Sequence, residues 1–259
     1  MVTSSQKLLD TKSRLRPDVA RISHGVDFDH FSTAWRNPPP MPPELKSLRG
    51  PILGFFGLIH HWLDIDLLAE VARQRPQYEF VLIGETKTDV ARIAGLANVH
   101  LLGRRDYATL PAYCAAFDAA LMLFKQSSMT ENVNPIKMYE YLAAGLRIVS
   151  TPLREASRFQ AQITFAADPE AFARACDDVL THRQQGDRAR VSRAVRDESW
   201  ESKAEQFSQL IQNRLDAPPV GSAQVSRRQW LEARAPHDRP IRVGPPPDEA
   251  PLASLIEDN

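Results

Sequence analysis

Between residues 51 and 151 the chain repeats one pattern: a short run of consecutive apolar residues, then a longer stretch whose apolar positions fall three or four apart. The runs at 52–57, 78–84, 99–103, 119–124 and 147–151 predict strands, while 63–75, 89–96, 107–117 and 135–144 predict helices. Strands that are apolar on both sides and alternate with helices belong to a parallel sheet covered on both faces. The predicted fold class is therefore α/β, a doubly wound parallel sheet. After Ile163-Thr164-Phe165, periodic apolar positions such as Phe172, Cys176 and Val179 predict helices over 169–183 and 188–215 that close the domain.

Gly57 and Gly84 each end a strand where the chain must turn, and ligands of open α/β sheets bind beyond the carboxyl ends of the strands. The loops at Gly57, Gly84 and 127–134 are where a site is expected. Upstream, Pro38-Pro39-Pro40-Met41-Pro42-Pro43 is stiff and poor in amide donors, and it sets a boundary near Leu48. The organisation read from this is 1–48, a leading segment with a proline-rich linker; 49–215, the α/β domain; and 216–259, a tail rich in proline and charge and expected to be disordered.

Composition narrows the choice of partner. The 259 residues carry 32 Lys plus Arg against 32 Asp plus Glu, so no overall field favours nucleic acid or anionic lipid. Cys114 and Cys176 stand far apart, which excludes a disulfide framework or a paired-cysteine zinc site and fits a reducing, cytoplasmic setting. The longest apolar stretch, 115–124, is cut by Asp118 and is too short to cross a bilayer. Residues 1–7 lack the apolar core of a secretory signal and read as the middle of a fold.

The candidate chemistry lies in Glu131-Asn132-Val133-Asn134-Pro135-Ile136-Lys137-Met138-Tyr139-Glu140-Tyr141-Leu142-Ala143-Ala144-Gly145. Asn134 is a preferred N-cap, Pro135 suits the first helical position, and Gly145 ends the helix. The amino end of a helix that follows a strand and a loop faces the ligand crevice. Its amides, in the turn that holds Ile136, attract an anion together with the helix dipole, and Lys137 adds positive charge. A diphosphate suits this arrangement. Glu140, further along the same helix, is a carboxylate able to accept hydrogen bonds from a ribose diol.

With its Asn-Pro-x-Lys-x-Tyr-Glu-Tyr-Leu-Ala-x-Gly core, the chain resembles GT-B glycosyltransferases related to family 4 (group 1), of the bacterial polysaccharide and teichuronic-acid type. Ile22-Ser23-His24-Gly25-Val26-Asp27, the stretch from Phe56-Gly57 to Trp62-Leu63-Asp64, and Glu198-Ser199-Trp200 are similar to that family's interdomain crossover, first donor-domain strand and returning helix. The resemblance runs from Val2 to Leu215. It implies the carboxyl-terminal, Rossmann-like donor half of a GT-B fold, preceded by only one strand and one helix of the other half within residues 2–15. A strand left alone there is expected to leave its ladder groups unpaired.

The resemblance further implies that Gly57, Asn134, Pro135, Ile136 and Lys137 hold a donor diphosphate and that Glu140 binds the ribose. Glu131, near the sugar in relatives, is the candidate catalytic residue. Two features depart from the family pattern. The family's second glutamate stands eight residues before the first, where this chain has Asn132, and the Arg and Lys that follow the glycine give way to Leu58-Ile59-His60-His61-Trp62. His60 and His61 lack partners at metal-ligand spacing and read as loop residues. His24, Trp62, Trp200 and Tyr139 read as structural, Arg104-Arg105 as a solvated turn, and Arg188, Arg190, Arg193 and Arg196 as an exposed helix face.

The implied function is transfer of a hexosyl group from a nucleoside diphosphate sugar to a glycan or lipid-linked acceptor in cell-surface polysaccharide synthesis. By resemblance it is retaining and uses no metal or cofactor, and its setting is cytoplasmic with at most peripheral contact at the inner membrane face. The alternative is a nucleotide-sugar-binding module, truncated or split from a separate amino-terminal domain or subunit and inactive alone. A dinucleotide oxidoreductase is disfavoured, because Gly57-Leu58-Ile59-His60 lacks the GxGxxG spacing.

Overall fold

The apolar runs pair into one sheet. The computed structural model describes residues 1–16, 18–127, 130, 133–181 and 187–216. In it β3 (Ile52–Phe56), β4 (Glu79–Ile83), β5 (Val99–Gly103), β6 (Ala119–Met122), β7 (Ile148–Ser150) and β8 (Ile163–Phe165) lie in the order β5-β4-β3-β6-β7-β8. Every ladder in this sheet is parallel. The chain winds outward from β3 to β5 and then crosses back to place β6 on the other side of β3. That reversal makes β3/β6 the topological switch point, where the loops leaving the two strands diverge and open a crevice.

Each strand buries alternate residues in opposite layers, which is why the runs are apolar throughout. Ile52 and Phe56 pack with Phe31, Tyr113 and Tyr141 of α2 (Phe28–Arg36), α5 (Leu110–Ala116) and α6 (Ile136–Ala143). Leu53 and Phe55 pack with Leu68, Val71 and Phe172 of α3 (Ile65–Gln74) and α7 (Pro169–Thr181). The close fit of α5 to the sheet depends on Gly54, where a Cβ would lie 2.0 Å from the Phe117 ring. Crossing between β4 and β5 takes only the short α4 (Ala91–Ala94).

The leading segment differs from expectation. β1 (Val2–Thr3) is not left alone, because α1 (Gln6–Lys12) turns the chain back and β2 (Ala20–Arg21) pairs with it in parallel. The buried carboxylate of Glu155 anchors this unit, accepting from the Gln6 N–H at 2.5 Å and from Arg21 at 3.5 Å. Residues Met1–Gln212 form one compact unit. Of the second, Asn213–Asn259, only the end of the last helix is described, so the tail expected to be disordered lies outside the described residues apart from Asp216.

The single helix expected over 188–215 is also corrected. Helix α8 (Asp187–Arg193) is followed by a 3-10 turn at Arg196–Glu198, and α9 (Trp200–Asp216) then begins afresh. The break has a long-range cause: the Val26 N–H donates to the Glu198 carbonyl at 2.9 Å, and the Trp200 N–H donates to the Val26 carbonyl at 3.2 Å. Pairing with Val26 requires an extended Ser199, whose hydroxyl then accepts from the Ser202 N–H at 3.1 Å and starts the new helix. Among the described residues no helix is long and apolar enough to cross a membrane.

Candidate functional site

At the switch point β3 ends in Phe56, and Gly57 follows with φ of 149°, a backbone conformation that side chains disfavour. Its N–H donates to the Ile83 carbonyl at 2.8 Å. A Cβ on Gly84 would fall 1.7 Å from the Gly57 carbonyl oxygen, so the two strand-ending glycines lie directly against each other. A Cβ on Gly57 would lie 3.2 Å from Lys137 Cε, so this bare backbone borders the Lys137 side chain.

Helix α6 is pinned to the end of β3 from below. The Tyr141 hydroxyl accepts from the Phe56 N–H at 2.8 Å and donates to the Phe56 carbonyl at 3.3 Å, both buried. This sets Lys137 Nζ 5.2 Å from the centre of the Phe56 ring and 3.3 Å from Glu140 Oε2. Gly57, Lys137 and Glu140 are thus brought together at the carboxyl ends of the strands.

Glu140 sits deep, with its side chain only 5% exposed. Burial raises its carboxyl above the ordinary carboxylate range, against the opposing charges of Lys137 and His30. Among the described residues Lys137 is its one side-chain hydrogen-bond partner. His30 stacks on Tyr107 at 4.8 Å between ring centres, and a ring nitrogen lies 3.1 Å from the Tyr107 carbonyl oxygen. The Tyr107 hydroxyl is pushed up to about 12 by burial and by the charges of Glu140 and Asp27. His30 and Tyr107 were not expected at the site, since 77 residues separate them and neither carries a local signal.

Asn134 plays a different part from the expected cap. Its Nδ2 donates to the Ser4 carbonyl at 2.9 Å and its Oδ1 accepts from the Tyr139 hydroxyl at 3.0 Å, so the side chain is turned to the leading segment and to Tyr139. Pro135 takes the N-cap position, Ile136 opens the helix, and among the described residues no side chain caps it. The amino end therefore carries amides without an intrahelical acceptor or a side-chain acceptor among the described residues. Glu131 lies outside the described residues.

The remaining polar candidates have the following surroundings. Arg105 donates from Nε to Glu44 Oε1 at 3.2 Å and to the Tyr113 hydroxyl at 2.9 Å, tying the proline-rich segment to α5 rather than facing solvent. His60 stacks on Trp62 at 4.1 Å. Burial lowers the pKa of His24. Among the described residues no three His, Cys, Asp or Glu are grouped to hold a metal ion.

Residues 50–182 match the family model described as glycosyl transferases group 1, and the chain belongs to that family. It is similar to the teichuronic acid biosynthesis glycosyltransferase TuaH of Bacillus subtilis (strain 168), 33% identical over 180 residues, which are 66% of this chain and 44% of that protein. The chain thus spans less than half the length of this curated relative. Among solved structures it resembles Anabaena Alr3699/HepE in complex with UDP and glucose, at 15% identity and a TM-score of 0.64 over 82% of this chain and 62% of that one. It also resembles the apo lipopolysaccharide outer core galactosyltransferase WaaB, at 12% identity and a TM-score of 0.61 over 82% and 61%. At such identities the likeness shows the fold, the Rossmann-like domain of GT-B glycosyltransferases.

Proposed function

We propose that this chain is the donor-binding half of a glycosyltransferase that moves a hexosyl group from a nucleoside diphosphate sugar to a glycan or lipid-linked acceptor in cell-surface polysaccharide synthesis. The observation that carries this reading is the convergence of Gly57, Lys137 and Glu140 at the switch point. Breaking the bond between sugar and phosphate leaves negative charge on the departing diphosphate. Lys137 and the amides at the head of α6 stabilise that charge where it develops, a role that a metal ion would otherwise fill. Gly57, lacking a side chain, lets the backbone approach the diphosphate, and Glu140 accepts from the ribose hydroxyls. The reaction on this reading retains anomeric configuration, with Glu131 near the sugar, and needs no cofactor. Residues 49–215 form the donor domain, and the protein works in the cytoplasm with at most peripheral membrane contact.

HepE is described with UDP and glucose, and TuaH by its place in teichuronic acid biosynthesis, so UDP is the first ligand to try. Calorimetric titration with UDP, GDP and ADP tests the site. Lys137→Ala is expected to weaken binding of the favoured diphosphate by roughly 1 to 3 kcal/mol, the scale of a charge-assisted hydrogen bond. An unchanged dissociation constant in a folded variant moves the site elsewhere. The alternative, a binding module inactive by itself, shares this donor site and differs in turnover: it binds the sugar nucleotide without releasing the diphosphate until an amino-terminal domain is supplied.

A further inference from the structure

Arg158 takes no part in the donor contacts above, yet it joins the two ends of the site's scaffold. It lies in the 3-10 turn Arg154–Phe159 that follows β7, with its guanidinium 4.5 Å from the Phe159 ring centre and 5.5 Å from that of Tyr139. One side donates to the Tyr139 hydroxyl at 2.8 Å; the other donates to Glu198 Oε1 at 2.8 Å. Glu198 is held in turn by the Ser23 hydroxyl at 3.0 Å and by Lys203, at the crossover where Val26 pairs with Ser199.

The chemistry of the donors fixes the direction of this chain of hydrogen bonds. A guanidinium can only donate, so the Tyr139 oxygen accepts from Arg158 and its single proton goes to Asn134 Oδ1, 3.0 Å away. That orients the Asn134 amide and leaves Nδ2 to donate to the Ser4 carbonyl. Asn134 precedes Pro135, which has no N–H, at the head of a helix that no side chain caps among the described residues. The buried Asn134 side chain is thus a principal anchor of the turn that aims the first amides of α6.

We propose that Arg158 is a positioning residue for the diphosphate end of the donor, holding the Asn134–Pro135 turn through Tyr139 while anchored on Glu198 at the crossover. This rests on the donor-site reading above. Glu140, further along α6, lies outside the chain of bonds, so the ribose end of the site keeps its geometry when the chain is cut.

The test compares the full-length wild type with Arg158→Gln, Tyr139→Phe and, as a control, Lys137→Ala. Each is titrated, well below its melting temperature, with whichever of UDP, GDP or ADP binds the wild type and with the matching nucleoside. Tyr139→Phe keeps the ring and its packing and removes only the relay oxygen. Both relay variants are expected to weaken the diphosphate about fivefold, the equivalent of one hydrogen bond, while nucleoside binding stays unchanged. Equal losses for diphosphate and nucleoside, or a lowered melting temperature with diphosphate affinity intact, would overturn the proposal by reducing the relay to scaffold. Loss in Lys137→Ala without loss in the relay variants overturns this proposal and spares the donor site. If no nucleoside diphosphate binds the wild type, both fall.

Discussion

Glu140 and Glu198 are both sheltered glutamates beside a lysine, with side chains 5% and 15% exposed, yet their carboxyls shift in opposite directions. Burial pushes each upward. At Glu198 the donors of Lys203 and Arg158 outweigh it and hold the carboxyl below its ordinary range. At Glu140 burial wins over Lys137, its one side-chain hydrogen-bond partner among the described residues, and over His30, and the carboxyl is raised. An ionised carboxylate has about four acceptor positions. Those of Glu198 are supplied by its own chain, as befits a strut that fixes the crossover. Among the described residues those of Glu140 are under-supplied, at the carboxyl ends of the strands, which is the condition of a group that binds something else. Burial and residue type do not separate the two; the number of donors does.

The contrast breaks most visibly at Glu198. Replacing it with Ala leaves the buried Lys203 and the partly buried Arg158 without their counter-charge, and removing one partner of such a cluster is expected to cost about 3 to 5 kcal/mol of stability. Urea titration measures this, and a loss near that of an exposed pair would erase the distinction drawn here. Glu140→Gln is the reciprocal change. It removes a charge held at a desolvation cost, so stability is expected to hold or rise slightly, while nucleoside diphosphate binding weakens by about 1.5 to 3 kcal/mol as charged hydrogen bonds to the ribose are lost. The sign is decisive. If Glu140 served only as the counter-ion of Lys137, neutralising it would free that lysine for phosphate and tighten binding.

The sheet was legible because each strand is apolar on both sides, a signal complete within five or six residues, and the head of α6 was legible because Pro135, Lys137 and Glu140 fall within six. What escaped depends on contacts distant in sequence. Asn134 looks like a cap from its neighbours alone, but its partners are Tyr139 and Ser4, the second across 130 residues. The break between α8 and α9 is imposed by Val26, which no helical periodicity near Arg196 records. Arg158 and Glu198 gave no sign of acting together, since 40 residues separate them. Tyr139 was expected to pack, and it does, at 1% exposure, but its hydroxyl also carries the relay. Trp200 stays 47% exposed, although a Cβ on Gly25 would lie 2.6 Å from its ring.

The smallest expected effect sharpens the comparison through pH. Because burial raises the Glu140 carboxyl, the folded chain takes up that proton at a pH where the unfolded chain, with an ordinary value of 4.5, has not. This group's contribution to stability is therefore fully present below about 4.5 and is lost as pH rises through the raised value. On the proposed donor reading, binding favours the opposite state, since ribose hydroxyls donate to an ionised carboxylate. Binding is then expected to expel the proton, and affinity to fall as pH drops through the raised value. The diphosphate, His30 and Lys137 are present in wild type and in Glu140→Gln alike, so the ratio of the two affinities isolates Glu140. Titrations at descending pH from neutral toward 4.5, the ordinary value, are expected to show that ratio shrinking toward one, by less than about tenfold per pH unit, the limit for a single proton. A ratio constant across the window would mean that the carboxylate does not exchange its proton for the ligand, and would return Glu140 to the role of a counter-ion for Lys137.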